Sequence, residues 1–579
     1  MKKSFFLSII FFATIYSNIL PAQDFKTTFE NSNGNKTATY FECIRFYKNL
    51  ASTYSTIKML SGDTTDAGYP LNLVLYSPDK TFNPEKMHSE NKVVIFVNNA
   101  IHPGEPDGVD ASMMLLRDLA SGKIKSPSNV VLAVIPVYNI GGALNRSGFS
   151  RVNQNGPESY GFRGNAENLD LNRDFIKADS KNAFAFEKIF QWLKPDVFID
   201  NHVSDGADYQ YTMTLLTTQH NKLGGQLGVF LHDIFEPALY KSMEEKNWPM
   251  TPYVNFEDGN ADKGWSAYYE SPRYSSGYTT LFQTIGFTAE THMLKPYKDR
   301  VISTYALMQS FIEQSSIHAM EIISKRKQAI QDVILQDSFA LGWRVDTTKY
   351  EMINFKGYEA LTKTSDVTGM PRMYYDHSKP FEKQVRFYNT FVPVNTVKKP
   401  FAYIIPHGWH EVIDRLKLNG VQMRMMENDT DLTVDYYHID DYKSYAKPYE
   451  KHHINYAVTL STRNENLHFL KGDYIIYTNQ PSNRYIVETL EPKGDDSYFY
   501  WNFFDAVLQE KEWYSNYRWE DVAATYLSSH PELKTKFDEK RKTDPEFAKS
   551  ADAQLNFIYK NSPYYEPAHL RYPVYRLVQ

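Results

Sequence analysis

One cysteine, Cys43, stands in 579 residues, so no disulfide can form within the chain and the fold must be held by its cores alone. A buried thiol is the expected state of that residue. Basic excess is missing too: 63 Lys and Arg face 69 Asp and Glu for a net charge of -6, and no basic patch with interleaved aromatics stands out. No nucleic-acid partner is expected from such a balance. Beyond the first 22 residues no apolar run reaches the roughly 20 residues needed to span a bilayer, so no stable membrane anchor is expected. Internal repeats and low-complexity linkers are absent as well, and nothing in the chain sets an oligomeric state.

What is present begins with Lys2-Lys3, an apolar run from Phe5 to Ile19, and Leu20-Pro21-Ala22 ahead of Gln23-Asp24. This reads as a signal peptide over residues 1–22, cleaved near Ala22, with the protein exported to the periplasm or the exterior. The absence of a cysteine at the cleavage point argues against a lipoprotein. Losing Lys2 and Lys3 takes the net charge to about -8. The remaining length exceeds one ordinary core and predicts two or more domains. Aromatics make up 15% of the chain, with 43 Tyr, ample material for cores and for peptide- or sugar-like clefts.

Patterning predicts a helix over 40–53, strands over 55–60 and 71–76 joined by a turn-rich segment, and a strand at 93–98 feeding a helix from Asp110 to Leu119. Further apolar runs at Val130–Val137 and Val197–Asn201 read as strands, with a helix over 182–193 between them. Continuous apolar strands alternating with helices point to an α/β fold, a mixed sheet covered by helices on both faces. Helical spacing over 301–336 gives way to a polar stretch before Trp343. A catalytic domain is therefore expected over 23–335 and a smaller mixed α/β accessory domain over 345–579. The second region shows short strands at 402–405 and 474–477, helices near 410–416 and 500–508, and no residue that announces chemistry.

Chemistry is announced at His102-Pro-Gly-Glu105, directly after the strand at 93–98, and at His202, which closes the strand at 197–201. Carboxyl ends of strands are where open α/β sheets build active sites. Two imidazoles and one carboxylate leave a coordination position for water, the pattern of a catalytic zinc site, so one Zn²⁺ per chain is expected.

Taken in order, the HxxE motif, the isolated Arg151, the Asn172-Arg173 pair, His202 and Glu290 resemble the M14 zinc carboxypeptidases, relatives of pancreatic carboxypeptidase A, over roughly residues 40 to 325. The resemblance implies a role for each residue. Asp170 would orient the first zinc histidine from behind. Glu290 would act as general base and proton shuttle. Arg151 would stabilise the tetrahedral oxyanion, while Asn172 and Arg173 would clamp the free C-terminal carboxylate of a peptide substrate. Arg146 is a nearby competitor for the arginine roles, and His292 reads as a neighbour of the site and not as a fourth ligand. Gly104 departs from the family, many members of which carry Arg inside this motif. A substrate-capping tyrosine is expected among Tyr268, Tyr269, Tyr274 and Tyr278.

The resemblance implies an exported zinc metallocarboxypeptidase. Two other readings stand beside it. One keeps the zinc but acts on cell-wall muropeptides or N-acyl amino acids, which share an amide next to a carboxylate. The other is a pseudo-enzyme that binds peptides or glycans without catalysis, its second domain being the working part.

Overall fold

A computed structural model describes residues 25–256 and 259–578; the expected signal peptide lies outside the described residues. The first part is built on an eight-stranded mixed sheet. Its strands are β1 (Ile57–Thr64), β2 (Pro70–Tyr76), β3 (Val93–Asn99), β4 (Val130–Ile135), β5 (Val197–Ser204), β6 (Met213–Thr217), β7 (Met250–Pro252) and, after the two-residue β8 (Trp265–Ser266), β9 (Ile285–His292). The spatial order is β1-β2-β4-β3-β5-β9-β6-β7, with β4, β3, β5 and β9 mutually parallel.

Why these runs are strands follows from their burial. Along β3, Val93, Ile95 and Val97 enter one core while Val94 and Phe96 enter another, so alternate side chains leave opposite faces and both faces are covered. Helices Tyr40–Thr53, Asp107–Ala120 and Tyr297–Ile317 cover the first face. Cys43 is buried there as a free thiol.

From β3 the chain crosses to β4 on one side and later to β5 on the other, so strand order reverses between β3 and β5. A crevice opens at the carboxyl ends of such a pair. The chain leaves β3 through Ala100, a non-glycine residue at φ 58°, and this left-handed step swings the His102-Pro-Gly-Glu105 loop over the crevice. Helix Asp107–Ala120 then starts hard against the sheet. A Cβ on Gly108 would sit 2.3 Å from Asn99 Oδ1, so only glycine allows the approach.

The opposite face of the sheet is covered by helix Lys181–Leu193 and then by the C-terminal part of the chain. Phe186, Phe198 and Tyr278 share one continuous core with Tyr403, Ile413, Tyr485, Trp501 and Tyr572. The expected boundary falls between helix Ala319–Leu335 and β10 (Ser338–Val345); this second core runs across it, while the core on the first face lies wholly before it.

The C-terminal part differs from its expected texture. The short strands expected at 402–405 and 474–477 and the helix near 410–416 are present, but the region also carries two long hairpins, β11 (Glu351–Thr364) with β12 (Pro371–Tyr388), and, beyond β13 (Phe391–Lys398), β14 (Ala402–Ile405) and β15 (Arg424–Met425), β16 (Thr430–Ser444) with β17 (Asn455–Phe469). Much of each hairpin is exposed on both faces, so hydrophobic alternation is weak and gives no signal of strand length. The helix expected near 500–508 is a run of turns closed by a 3-10 turn at Asp505–Leu508. Trp501 and Phe504 are both fully buried there, and tertiary packing of these rings overrides local helix preference. A cluster of helices from Asn516 to Lys560 forms a small satellite core of its own.

Candidate active site

The three expected ligands meet. His102, Glu105 and His202 are each 3% exposed, and one ligand atom from each lies within 4.8 Å of the others. His102 Nδ1 is 3.1 Å from Glu105 Oε1, and His202 Nδ1 is 3.0 Å from Glu105 Oε2. Ligands held about 2.0–2.1 Å from a tetrahedral ion stand roughly 3.3 Å apart, so the donor set fits a metal ion with small adjustment.

The far side of each ring meets a carboxylate. His102 Nε2 is 2.9 Å from Asp170 Oδ1, as expected from the sequence. His202 Nε2 lies 3.0 Å from Asp200 Oδ2, outside good hydrogen-bond angles, while Ser275 Oγ donates to the same Asp200 oxygen at 2.6 Å. Asp200 was not visible as a site residue because an acidic residue inside an apolar strand carries no motif. Carboxylates behind metal-binding imidazoles fix ring orientation and raise ligand basicity. Burial opposes charge on His202, yet Asp200 and Glu105 hold its pKa well above the ordinary histidine value. Glu105 is opposed by burial as well, but Arg151, His102 and His202 hold it well below the usual carboxylate range. Metal binding would therefore displace a proton from His202, and affinity would weaken as pH falls.

Asp170 does a second task. Its Oδ1 accepts the backbone N–H of Asn172 at 2.9 Å, capping the 3-10 turn Leu171–Arg173. One turn thus sets the residue behind His102 and points Asn172 and Arg173 into the same cavity. That cavity holds about 570 Å³ and is lined by the three ligands, Arg151, Arg163, Asn172, Arg173, Tyr253, Tyr268, Glu270, Tyr274 and Glu290, among others.

Glu290 reaches the metal group through strand register. It pairs directly with His202 across the parallel β5–β9 ladder, so the two side chains share a face. Burial, with help from Glu105, Glu270 and Asp200 and against the pull of His202, pushes its carboxyl up to about 8. His292, two residues on, is committed elsewhere: Nε2 meets Ala207 O at 2.9 Å and Nδ1 accepts from Leu294 N at 3.2 Å.

The arginines separate clearly. Arg151 Nη2 donates to Glu105 Oε1 at 2.5 Å, and a Cβ on Gly104 would lie 2.3 Å from Arg151 Nε. The glycine in the HxxE motif therefore vacates the space that the Arg151 guanidinium fills. Arg146 points away, donating to Ala38 O and Ser159 O, and does not line the cavity. Arg163, missed in the sequence because nothing in its spacing marked it, lines the rim and donates to Asp170 Oδ2 at 2.9 Å.

Arg173 is held by a residue from far along the chain. Its Nε donates to Tyr449 Oη at 3.0 Å, its Nη1 to Asn172 O at 2.8 Å, and its guanidinium lies 4.5 Å from the Tyr274 ring centroid. Next to Tyr449, Glu450 Oε2 accepts the Asp170 N–H at 2.9 Å. Both residues sit on the turn joining β16 and β17, which sequence gave no reason to place here. Of the four tyrosines, Tyr278 is buried in the core, where it donates to Asn419 at 2.6 Å, and Tyr269 does not line the cavity. Tyr268 and Tyr274 do, with their hydroxyls 2.6 Å apart.

Fold and site together define a mixed α/β protein with a buried His-Glu-His metal-binding group beside a carboxylate and an arginine-lined cavity. No protein-family model matches the chain. It is similar to Carboxypeptidase 2 of Trichophyton tonsurans, 22% identical over 442 residues that cover 71% of this chain and 74% of that protein. Carboxypeptidase 2 of Trichophyton rubrum is 21% identical over 461 residues, 74% of this chain and 77% of that one. Among solved structures, a metallo-carboxypeptidase from Pseudomonas aeruginosa in complex with (2-guanidinoethylmercapto)succinic acid covers 49% of this chain and 70% of its own, at 13% identity and a TM-score of 0.37. The chain thus resembles carboxypeptidases in sequence over more than two thirds of its length. Among the described residues no helix is long and apolar enough to cross a membrane.

Removing a ligand tests the metal group. His102→Ala should drop bound metal below about a tenth of an equivalent and make the Tm indifferent to chelators, whereas chelation of wild type should lower its Tm by several degrees, because an ion that binds only the folded state stabilises it. Elemental analysis and thermal melts read both.

Proposed function

We propose that this protein is an exported zinc metallocarboxypeptidase that hydrolyses the last peptide bond of peptides with a free C-terminal carboxylate. One observation carries the reading: a metal-binding triad flanked by Glu290 shares a cavity with Arg173, whose bonds go to a tyrosine and a main-chain carbonyl and to no carboxylate. Such an arginine has charge to spare for a substrate carboxylate.

His102, Glu105 and His202 would hold Zn²⁺, which when bound polarises a scissile carbonyl and acidifies water. Arg173 and Asn172 bind the terminal carboxylate and so set which bond lies beside the triad. Tyr449 and the Tyr274 ring keep the Arg173 guanidinium in place. Glu290 accepts a proton from the attacking water and delivers it to the departing amine. Arg151, next to the triad, meets the negative charge that develops on the carbonyl oxygen.

Incubation with linear peptides, muropeptides and acyl-amino acids, followed by mass spectrometry, tests the reading. Stepwise loss of C-terminal residues is expected, and release of internal fragments alone would overturn it. The arginines should differ in kind. Arg173→Ala should chiefly raise KM and weaken discrimination against amidated peptides, since charge-assisted contacts contribute about 1.5–3 kcal/mol in ground and transition states alike. Arg151→Ala should lower kcat by about two to three decades with KM nearly unchanged, because the substrate charge it meets, unlike its standing partner Glu105, develops only at the transition state.

A further inference from the structure

The cavity holds two carboxylates that the proposed chemistry does not use, Asp205 and Glu270. Glu270 lines it, half-buried, between Tyr268 and Tyr274 in sequence. Its Oε2 accepts hydroxyl hydrogen bonds from Ser276 and, at 3.0 Å, from Thr288. Thr288 precedes Glu290 by two residues on β9, so Glu270 is anchored to the strand face that carries the general base. Neither bond comes from a cation, and Glu270 makes no ion pair within 4.0 Å among the described residues.

Glu290, without an ion pair of its own among the described residues, is taken up by the proton transfer, and the other charges in the cavity are accounted for. Arg151 is tied to Glu105 and Arg163 to Asp170. Asp205 lies exposed at the rim. This leaves a guanidinium, Arg173, and a carboxyl group, Glu270, each without an ion-pair partner among the described residues, on the walls of one cavity of about 570 Å³. Burial, with Asp200 and against Ser276, Thr288 and His202, raises the Glu270 carboxyl above its usual range, and a cationic ligand beside it would favour the charged form. A C-terminal lysine or arginine supplies both counterparts, its carboxylate to Arg173 and its side chain to Glu270.

We propose that Glu270 is a specificity-determining residue that selects peptides ending in a cationic side chain. This rests on the carboxypeptidase reading and adds the substrate class. Ser276 and Thr288 hold the carboxylate aimed into the cavity, and the neighbouring Tyr268 and Tyr274 rings flank the aliphatic stem of the incoming side chain. An acidic C-terminal residue would be repelled.

The test uses the full-length, metal-loaded protein and N-acylated dipeptides that differ only in the last residue: Arg, Lys, Leu, Phe and Glu. Wild type is expected to favour Arg and Lys over Leu by about tenfold or more in kcat/KM. In Glu270→Gln that ratio should fall by about 10- to 100-fold, the range of a lost charge-assisted contact. Glu270→Lys should shift preference toward Glu. The ratio separates selection from support, because a merely structural carboxylate would lower all substrates together and leave the ratio unchanged. Such a uniform loss, or a wild-type preference for Leu or Phe, overturns the proposal while leaving the carboxypeptidase reading intact; no hydrolysis of any of the five dipeptides would overturn the carboxypeptidase reading itself.

Discussion

Glu290→Gln is expected to lower kcat by about 10²- to 10⁴-fold, the range that a positioned general base contributes, while the protein keeps its full metal content. The amide fills the same space beside His202 but cannot accept a proton. Metal content should survive because Glu290 is not a member of the ligand group. Without an ion, burial and the charges of Glu105, Glu270 and Asp200 push the Glu290 carboxyl up to about 8 despite His202. A cation held by the three ligands favours the carboxylate and brings that value down. Metal loading should therefore be a condition for a working base, and the acid limb of kcat/KM should report it. Retention of more than about a tenth of wild-type kcat would move the base elsewhere. Since main-chain contacts occupy both nitrogens of His292, Glu270 would be the next candidate.

Removing the C-terminal part should have the largest effect of all. A chain ending at residue 335 is expected to be insoluble or aggregated, and inactive on any substrate. It would expose the core face formed by Phe186, Phe198 and Tyr278, which full-length protein covers with Tyr485, Trp501 and their neighbours. It would also leave polar groups stranded. Asn419 donates to Glu187 at 2.7 Å, Arg415 Nη2 donates to Ala178 O at 3.0 Å, and the buried Lys222 and Glu488 pair at 2.8 Å. Breaking such a buried ion pair from one side typically costs about 3–5 kcal/mol, comparable to much of the stability of a domain. Sedimentation and circular dichroism of the fragment read the result, and a soluble, active fragment would refute it. Tyr449→Phe in the full chain separates folding from site-building. It removes only the hydroxyl that receives the Arg173 Nε hydrogen bond, so KM should rise several-fold with the melting temperature nearly unchanged.

The sequence by itself determined the parts whose signal is local. Continuous apolar runs marked β3, β4 and β5 because both faces of those strands are buried, and a strand's carboxyl end followed by His-x-x-Glu marked the metal group. The order of Arg151, Arg173 and Glu290 along the chain pointed to one site, and all three line the cavity. Tertiary structure decided the rest, for reasons of distance and register. Asp200 lies behind His202 only because both belong to one strand that neighbours β9, and Tyr209 and Ala207 take His292 out of the site. Arg146 and Arg163 exchange importance because one donates to backbone carbonyls while the other reaches Asp170. Tyr449 and Glu450 lie about 280 residues from their partners, on a hairpin turn whose strands show too little alternation to be read, and only the core shared by both parts of the chain brings them to the cavity.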